Sequence, residues 1–257
     1  MAGFFGLFDY SKPGPGISKN APQKKRFFLF FDILGRKFWK LIQLNFLYIL
    51  FCLPVVTIGP ATAGMTYVLR NFANEQHSFL FSDFWDSFKS NFKQSFIYSI
   101  LSLIATVLLS VSIYYYYINL NQNKFYYLPF VVSVSIAIIF IFMNYYVYLM
   151  IVTLDLKLKA IIKNAFIFSV LGVKTNIITF LILGLIIFAT VWYFPITLLF
   201  IVLIEFSLVG LIICFNSYQY IKKYAIDPYL NSQNTQNEPV EENEPVFEDT
   251  IIENNKD

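Results

Sequence analysis

Between Ser95 and Ile118 the chain runs 24 residues without a charged side chain, and from Leu128 to Thr153 it does so again for 26. A helix rises about 1.5 Å per residue, so either run is long enough to cross roughly 30 Å of bilayer hydrocarbon. Asn176–Phe194 and Leu41–Ile58 are also uncharged, and Ile196–Tyr218 carries one charge, Glu205. Only 14% of the 257 residues are charged, too few to clothe a water-soluble surface around such segments. The class this implies is an all-α, polytopic transmembrane helix bundle, in which every backbone polar group is satisfied within its own helix.

Orientation follows from the basic residues near the span ends, because loops rich in Lys and Arg stay in the cytoplasm. Lys24, Lys25, Arg26, Arg36, Lys37 and Lys40 precede the first run, Lys157, Lys159, Lys163 and Lys174 fill the 154–175 connection, and Lys222 and Lys223 follow the last run; the 119–127 connection has only Lys124. Both termini should therefore be cytoplasmic, which five spans forbid. The stretch Cys52–Gly64, CLPVVTIGPATAG, resolves the conflict. A turn at Thr57-Ile58-Gly59-Pro60 followed by a short return helix from Ala61 to about Phe72 gives about six crossings, with a re-entrant hairpin as the alternative. Gly59 suits the turn, Pro60 the first turn of the new helix, and Pro54 a kink in the outgoing one.

Two cytoplasmic connections are amphipathic. Phe81, Phe84, Trp85, Phe88 and Phe92 recur at helical spacing, and Leu158, Ile161, Ile162, Ala165 and Ser169 form a weaker stripe. Both predict helices lying at the membrane interface. The tripeptides Lys89-Ser90-Asn91 and Lys174-Thr175-Asn176 echo one another at an offset of 85, an echo short enough to arise by chance in apolar sequence. The domain plan expected is a basic leader over 1–36, a transmembrane domain over 37–225 and a disordered acidic tail over 226–257. From Asn231 the tail holds eight acids and one lysine, so residues 1–230 carry about +10, a charge suited to anionic lipid more than to nucleic acid.

Chemistry is sparse. Gly59–Thr66 matches a phosphate-binding loop except that Met65 replaces the lysine and an apolar helix, not a strand, precedes it. His77 is the only histidine, Asp83 and Asp86 fit a solvated helix face, and Cys52 and Cys214 read as small hydrophobes. No enzyme, cofactor or metal site is expected. The polar residues inside spans say more. Glu205 lies near mid-membrane, where an ionisable group points to a proton relay or substrate contact, or to a hydrogen bond holding the bundle, through Asn144 or Asn45. Asn45 and Gln43 mark an inward-facing side of the first span.

Asn45-Phe46-Leu47, then Leu53-Pro54-Val55-Val56-Thr57-Ile58-Gly59-Pro60-Ala61, then Phe84 and Asn91-Phe92-Lys93-Gln94, resemble the YesL family of bacterial integral membrane proteins, a family defined by a domain of unknown function. The likeness covers roughly residues 4–225. It implies a multi-pass plasma-membrane protein whose relatives are often encoded beside carbohydrate ABC transporters and two-component regulators. The partners it suggests are the lipid bilayer and an ABC sugar-transporter permease or a sensor kinase, in an accessory role. The family brings no catalytic or ligand residues. The candidate positions are thus Glu205, Asn45, Pro54, Thr57, Gly59, Pro60 and Asn91, and the rival function is an autonomous small-molecule transporter, proton-coupled through Glu205.

Overall fold

The computed structural model describes residues 25–121 and 123–230; the leader through Lys24 and the acidic tail from Asn231 lie outside them. Every regular element among the described residues is helical. They are α1 (Arg26–Cys52), α2 (Ile58–Ala73), α3 (Leu80–Ser90), α4 (Phe92–Asn119), α5 (Tyr127–Ile151), α6 (Leu158–Leu171), α7 (Val173–Trp192) and a last helix, α8 (Leu198–Leu230), with π-helical turns at Ile201–Glu205 and Lys222–Ile226. Four segments are long and apolar enough to cross a membrane: Phe92–Asn119, Lys124–Ile151, Val173–Trp192 and Leu198–Leu230. They coincide with four of the five runs read from the sequence, and the chain is a membrane-embedded helix bundle.

The fifth run is built differently. α1 begins at Arg26, so the expected leader–domain boundary at residue 36 falls inside a helix. The charged first half of α1 is fixed at both flanks: Arg36 pairs with Asp32 and Glu75, and the Lys37 ammonium lies 5.4 Å from the centre of the Phe72 ring. α1 then stops at Cys52. Pro54, expected to kink it, instead starts a single 3-10 turn over Val55–Thr57, because a proline offers no N–H to continue the helix. The Thr57 hydroxyl sits 2.6 Å from the carbonyls of both Phe51 and Pro54 and closes the free end of α1.

α2 starts at Ile58, so Gly59 is not in the turn as the sequence suggested but in the first helical turn with Pro60. Its hydrogen atom is required by packing: a Cβ there would lie 2.5 Å from the Ser95 carbonyl oxygen of α4. Gly64 is confined in the same way, 2.9 Å from the Phe84 carbonyl oxygen. Gly59, Ala61, Ala63 and Gly64 thus give α2 a surface of small residues against which neighbouring backbones close. Eleven of its 16 residues are buried, and it is the centre of the bundle. It ends in a Schellman turn with Glu75 in the left-handed region (φ 55°), a place usually held by glycine.

The helix α3, expected at the membrane interface, packs its apolar face on the bundle. It folds back along α2, with the Ser87 hydroxyl reaching the Ala63 carbonyl, and the middle of its aromatic stripe is covered from within, since Phe84 is fully buried and Phe51 of α1 packs on Phe84, Trp85 and Phe88, while Phe81 stays exposed. The stripe of α6 likewise faces inward, as Ile161 and Ala165 are buried and Phe168 lies on Tyr146 of α5. Each short helix then bends into a long one, at Asn91 and at Gly172. The triplets α2–α3–α4 and α5–α6–α7 therefore repeat one pattern. Their joints are 81 residues apart, so the tripeptide echo at 85 does not superpose them: Ser95, not Asn91, holds the place of Asn176, each donating its amide to the joint residue's carbonyl.

Candidate functional site

Three antiparallel pairings position the polar groups inside the bundle. The turn at Tyr193–Thr197 sets α7 against α8, α4 pairs with α5, which follows a 3-10 turn at Lys124–Tyr126, and α1 runs along α8, with Arg26 beside Phe215 at one end and Tyr48 beside Phe206 further up. Facing residues on α7 and α8 keep one antiparallel register, centred between Thr197 and Leu198, which brings Thr175 to Tyr220 (2.8 Å), Thr179 to Asn216 (2.9 Å) and Thr190 to Glu205 (3.1 Å).

The centre of the site is the π-turn Ile201–Glu205. A π-turn bonds each amide five residues back, so one residue is extra and carbonyls are left over, a costly state in a lipid environment. Asn45 supplies what is missing. Its Nδ2 donates to the carbonyls of Ile201 (3.0 Å) and Val202 (2.7 Å), while its Oδ1 accepts the Ser207 amide at 3.0 Å. Asn45 is fully buried and all three contacts are to backbone, so it acts as a brace spanning the irregular turn.

Glu205 is the last residue of that turn and 9% exposed. Its partner is Thr190 on α7, not Asn144 or Asn45. Asn45 is occupied by the turn, and Asn144 faces α4, where its Oδ1 accepts from Tyr98 (2.7 Å) and Ser102 (3.3 Å). The Thr190 hydroxyl also lies 3.0 Å from the Ile186 carbonyl, and the Thr197 hydroxyl donates to the Thr190 carbonyl at 2.6 Å. A hydroxyl has one proton, so Thr190 cannot serve Ile186 and Glu205 together. Among the described residues no donor reaches the second carboxyl oxygen of Glu205 or the hydroxyl of Ser207.

A cavity of about 200 Å³, bounded by Tyr48, Thr62, Thr66, Asn144, Tyr145 and Phe206 among others, meets the π-turn region at Phe206, the neighbour of Glu205, and is not lined by Asn45, Thr190 or Glu205 themselves. It adjoins a crevice of about 410 Å³ between α4 and α5, through Asn144 and Tyr145, and a second of the same size at the hairpin tip, through Tyr48 and Phe206. Its polar edge is the Tyr48 hydroxyl, 3.3 Å from Thr62. The structure thus joins Asn45 and Glu205 in one place. Pro54, Thr57, Gly59 and Pro60 build the hairpin next to it, and Asn91 stands apart at the α3–α4 joint, its Nδ2 donating to the Ser87 carbonyl at 3.1 Å. Thr190, Thr197, Tyr48 and Tyr98 were not singled out by sequence. The pairing of Thr190 with Glu205 is centred between Thr197 and Leu198, not on Pro195, so the turn proline gave no signal for it. At the basic end the hydrogen bond that Arg36 donates to the Glu75 carboxylate raises the Arg36 guanidinium above its ordinary pKa, and burial lowers that of Lys37. Among the described residues no three His, Cys, Asp or Glu side chains gather as a metal site would require.

Residues 41–113 match a family model described as Protein of unknown function, DUF624. This is the domain found in YesL-like proteins. The DUF624 region runs from the second half of α1 through the hairpin and α3 into α4. It contains six of the seven candidate positions, all but Glu205. No curated protein and no solved structure matches the chain.

Proposed function

We propose that the protein is a proton-linked transporter of a small solute, with Glu205 as the proton-carrying group and the adjoining cavity as the solute path. The observation that carries this reading is the buried Glu205 carboxyl, one oxygen without a donor and the other sharing a single threonine proton with Ile186. A proton carried by Glu205 and donated to Thr190 frees the threonine proton for the Ile186 carbonyl, which supports a protonated carboxyl as part of the site's working cycle. Irregular helix at depth, here the braced π-turn and the α1–α2 hairpin, is a feature of transporter sites. The test is proton uptake by proteoliposomes loaded with a pH dye, challenged in turn with a panel of sugars and related small solutes. The expected result is a solute-dependent proton flux that Glu205→Gln abolishes; flux unchanged in that variant would refute the role of Glu205.

A second reading, an accessory of carbohydrate uptake or of its sensing in a bacterial plasma membrane, is favoured by the YesL resemblance and by exposed Phe79 and Phe81 at the start of α3. Stoichiometric recovery of a sugar-transporter permease or sensor kinase in a mild-detergent purification supports it, and recovery of the protein alone removes it. Neither reading includes an enzymatic step. In topology, we place both termini on the cytoplasmic side. Whether the crossings number six or four depends on the hairpin, whose tip Leu53–Ile58 shares a crevice with Phe206, eight residues and about 12 Å from the start of α8. That depth favours the re-entrant form. In a background lacking Cys52 and Cys214, single cysteines at Asn123, Ser90 and Val56, all exposed, should label with an impermeant thiol reagent in intact cells only at Asn123. Labelling at Val56 restores six crossings, and labelling at Ser90 reverses the orientation.

A further inference from the structure

Two concavities meet at the N-terminus of α1. One, of about 660 Å³, is lined by Arg26, Lys222, Lys223, Tyr220, Tyr224 and Asp227 among others. The other, of about 550 Å³, runs between α1 and α7–α8 and is lined chiefly by Phe27, Phe30, Phe31, Ile178, Ile182 and Ile212. Arg26 belongs to both, and Thr175 in the groove hydrogen-bonds Tyr220 in the pocket at 2.8 Å. Each volume is of ligand size.

We propose that this pair of sites holds one anionic phospholipid, with its phosphate in the Arg26–Lys222–Lys223 pocket and an acyl chain along the groove. The charge balance supplies the first argument: three cations face one carboxylate, and the only ion pairs among the described residues are those of Arg36. Arg26 is pre-positioned. One Nη donates to the Phe215 carbonyl at 3.2 Å and the guanidinium lies 5.3 Å from the Phe215 ring centre, which fixes the plane and leaves the other N–H groups for an anion. The groove supplies the second argument, since Phe27, Phe31 and Ile178 leave it open and apolar at the protein surface. A free phosphate has no use for that groove and a zwitterionic lipid little use for three cations. An amphipathic anion uses both. The inference rests on the membrane-embedded reading and is independent of Glu205.

The full chain is purified in mild detergent, delipidated, and titrated with dioleoyl phosphatidylglycerol or dioleoyl phosphatidylcholine while native mass spectrometry counts bound lipid. One phosphatidylglycerol per chain should be retained in preference. The preference should fall roughly fivefold for each cation removed and on the order of a hundredfold in R26Q/K222Q/K223Q. The K222Q/K223Q variant leaves the Arg26–Phe215 contact intact and guards against misfolding. Ile182→Trp, which fills the groove, should weaken phosphatidylglycerol retention. Equal retention of the two lipids, or a triple variant that binds as before, overturns the site; so does displacement of phosphatidylglycerol by inorganic phosphate together with an Ile182→Trp variant of unchanged affinity. Release of the protein from membranes by carbonate would instead defeat the membrane-embedded reading itself.

Discussion

Helices α2 and α4 sit side by side and are packed in opposite ways. α2 has 16 residues, eleven of them buried, whereas the longer α4 has 28 and buries only Ser95 and Tyr98. Hydrophobicity does not explain the contrast, because α4 has a window of mean hydropathy 2.3 and still turns Leu103, Leu108 and Val111 outward. In lipid an apolar side chain gains little by moving inward, so burial goes to the helix whose surface lets others come close. The small residues of α2 do this, and the branched side chains of α4 do not.

That contrast can be broken most sharply at the glycines. Gly59→Val or Gly64→Val should cost about 3 kcal/mol or prevent a monodisperse fold, since each Cβ would press on a backbone carbonyl with no room to yield. The same change at Gly184, where nothing lies within 4 Å, should leave the melting temperature in detergent almost unmoved. Next comes Asn45→Leu, which strands two carbonyls and one amide. About 2 kcal/mol is expected, read as a lowered midpoint in detergent unfolding, with Asn45→Asp intermediate because the Ser207 amide keeps its acceptor. Tyr98→Phe removes the hydroxyl that ties α4 to Asn144 and should cost about 0.6 kcal/mol by the same measurement. Smallest is Leu108→Ala on the outer face of α4, expected within about 0.5 kcal/mol of the parent; a larger loss would show that this face is covered.

The same contrast marks what could be read from the chain. The four long spans were legible because an uncharged run of that length has few other fates. The beginning of α1 was not, since Asp32, Arg36, Lys37 and Lys40 look like a solvated leader until Glu75 and Phe72, some 40 positions on, turn out to face them. The aromatic spacing in α3 announced a face and could not say what would cover it. In the site, Asn45 and Glu205 stood out as polar groups in apolar runs. Their connection did not, because it passes through backbone carbonyls of Ile201 and Val202 that no side chain advertises.

The π-turn also changes the arithmetic of α8. A turn closed over five residues in place of four carries one residue more than the path requires, so everything beyond it is rotated by about 100° relative to an uninterrupted helix. Glu205 meets α7, Ser207 meets α1, and Gly210 meets Leu69 of α2 within a span of six residues. Deleting a single residue from Ile201–Ile204 would give back a regular helix of nearly the same length while turning its short start, Leu198–Phe200, by about 100° relative to the rest. The extra residue therefore sets which faces Glu205, Ser207 and Gly210 turn to α7, α1 and α2.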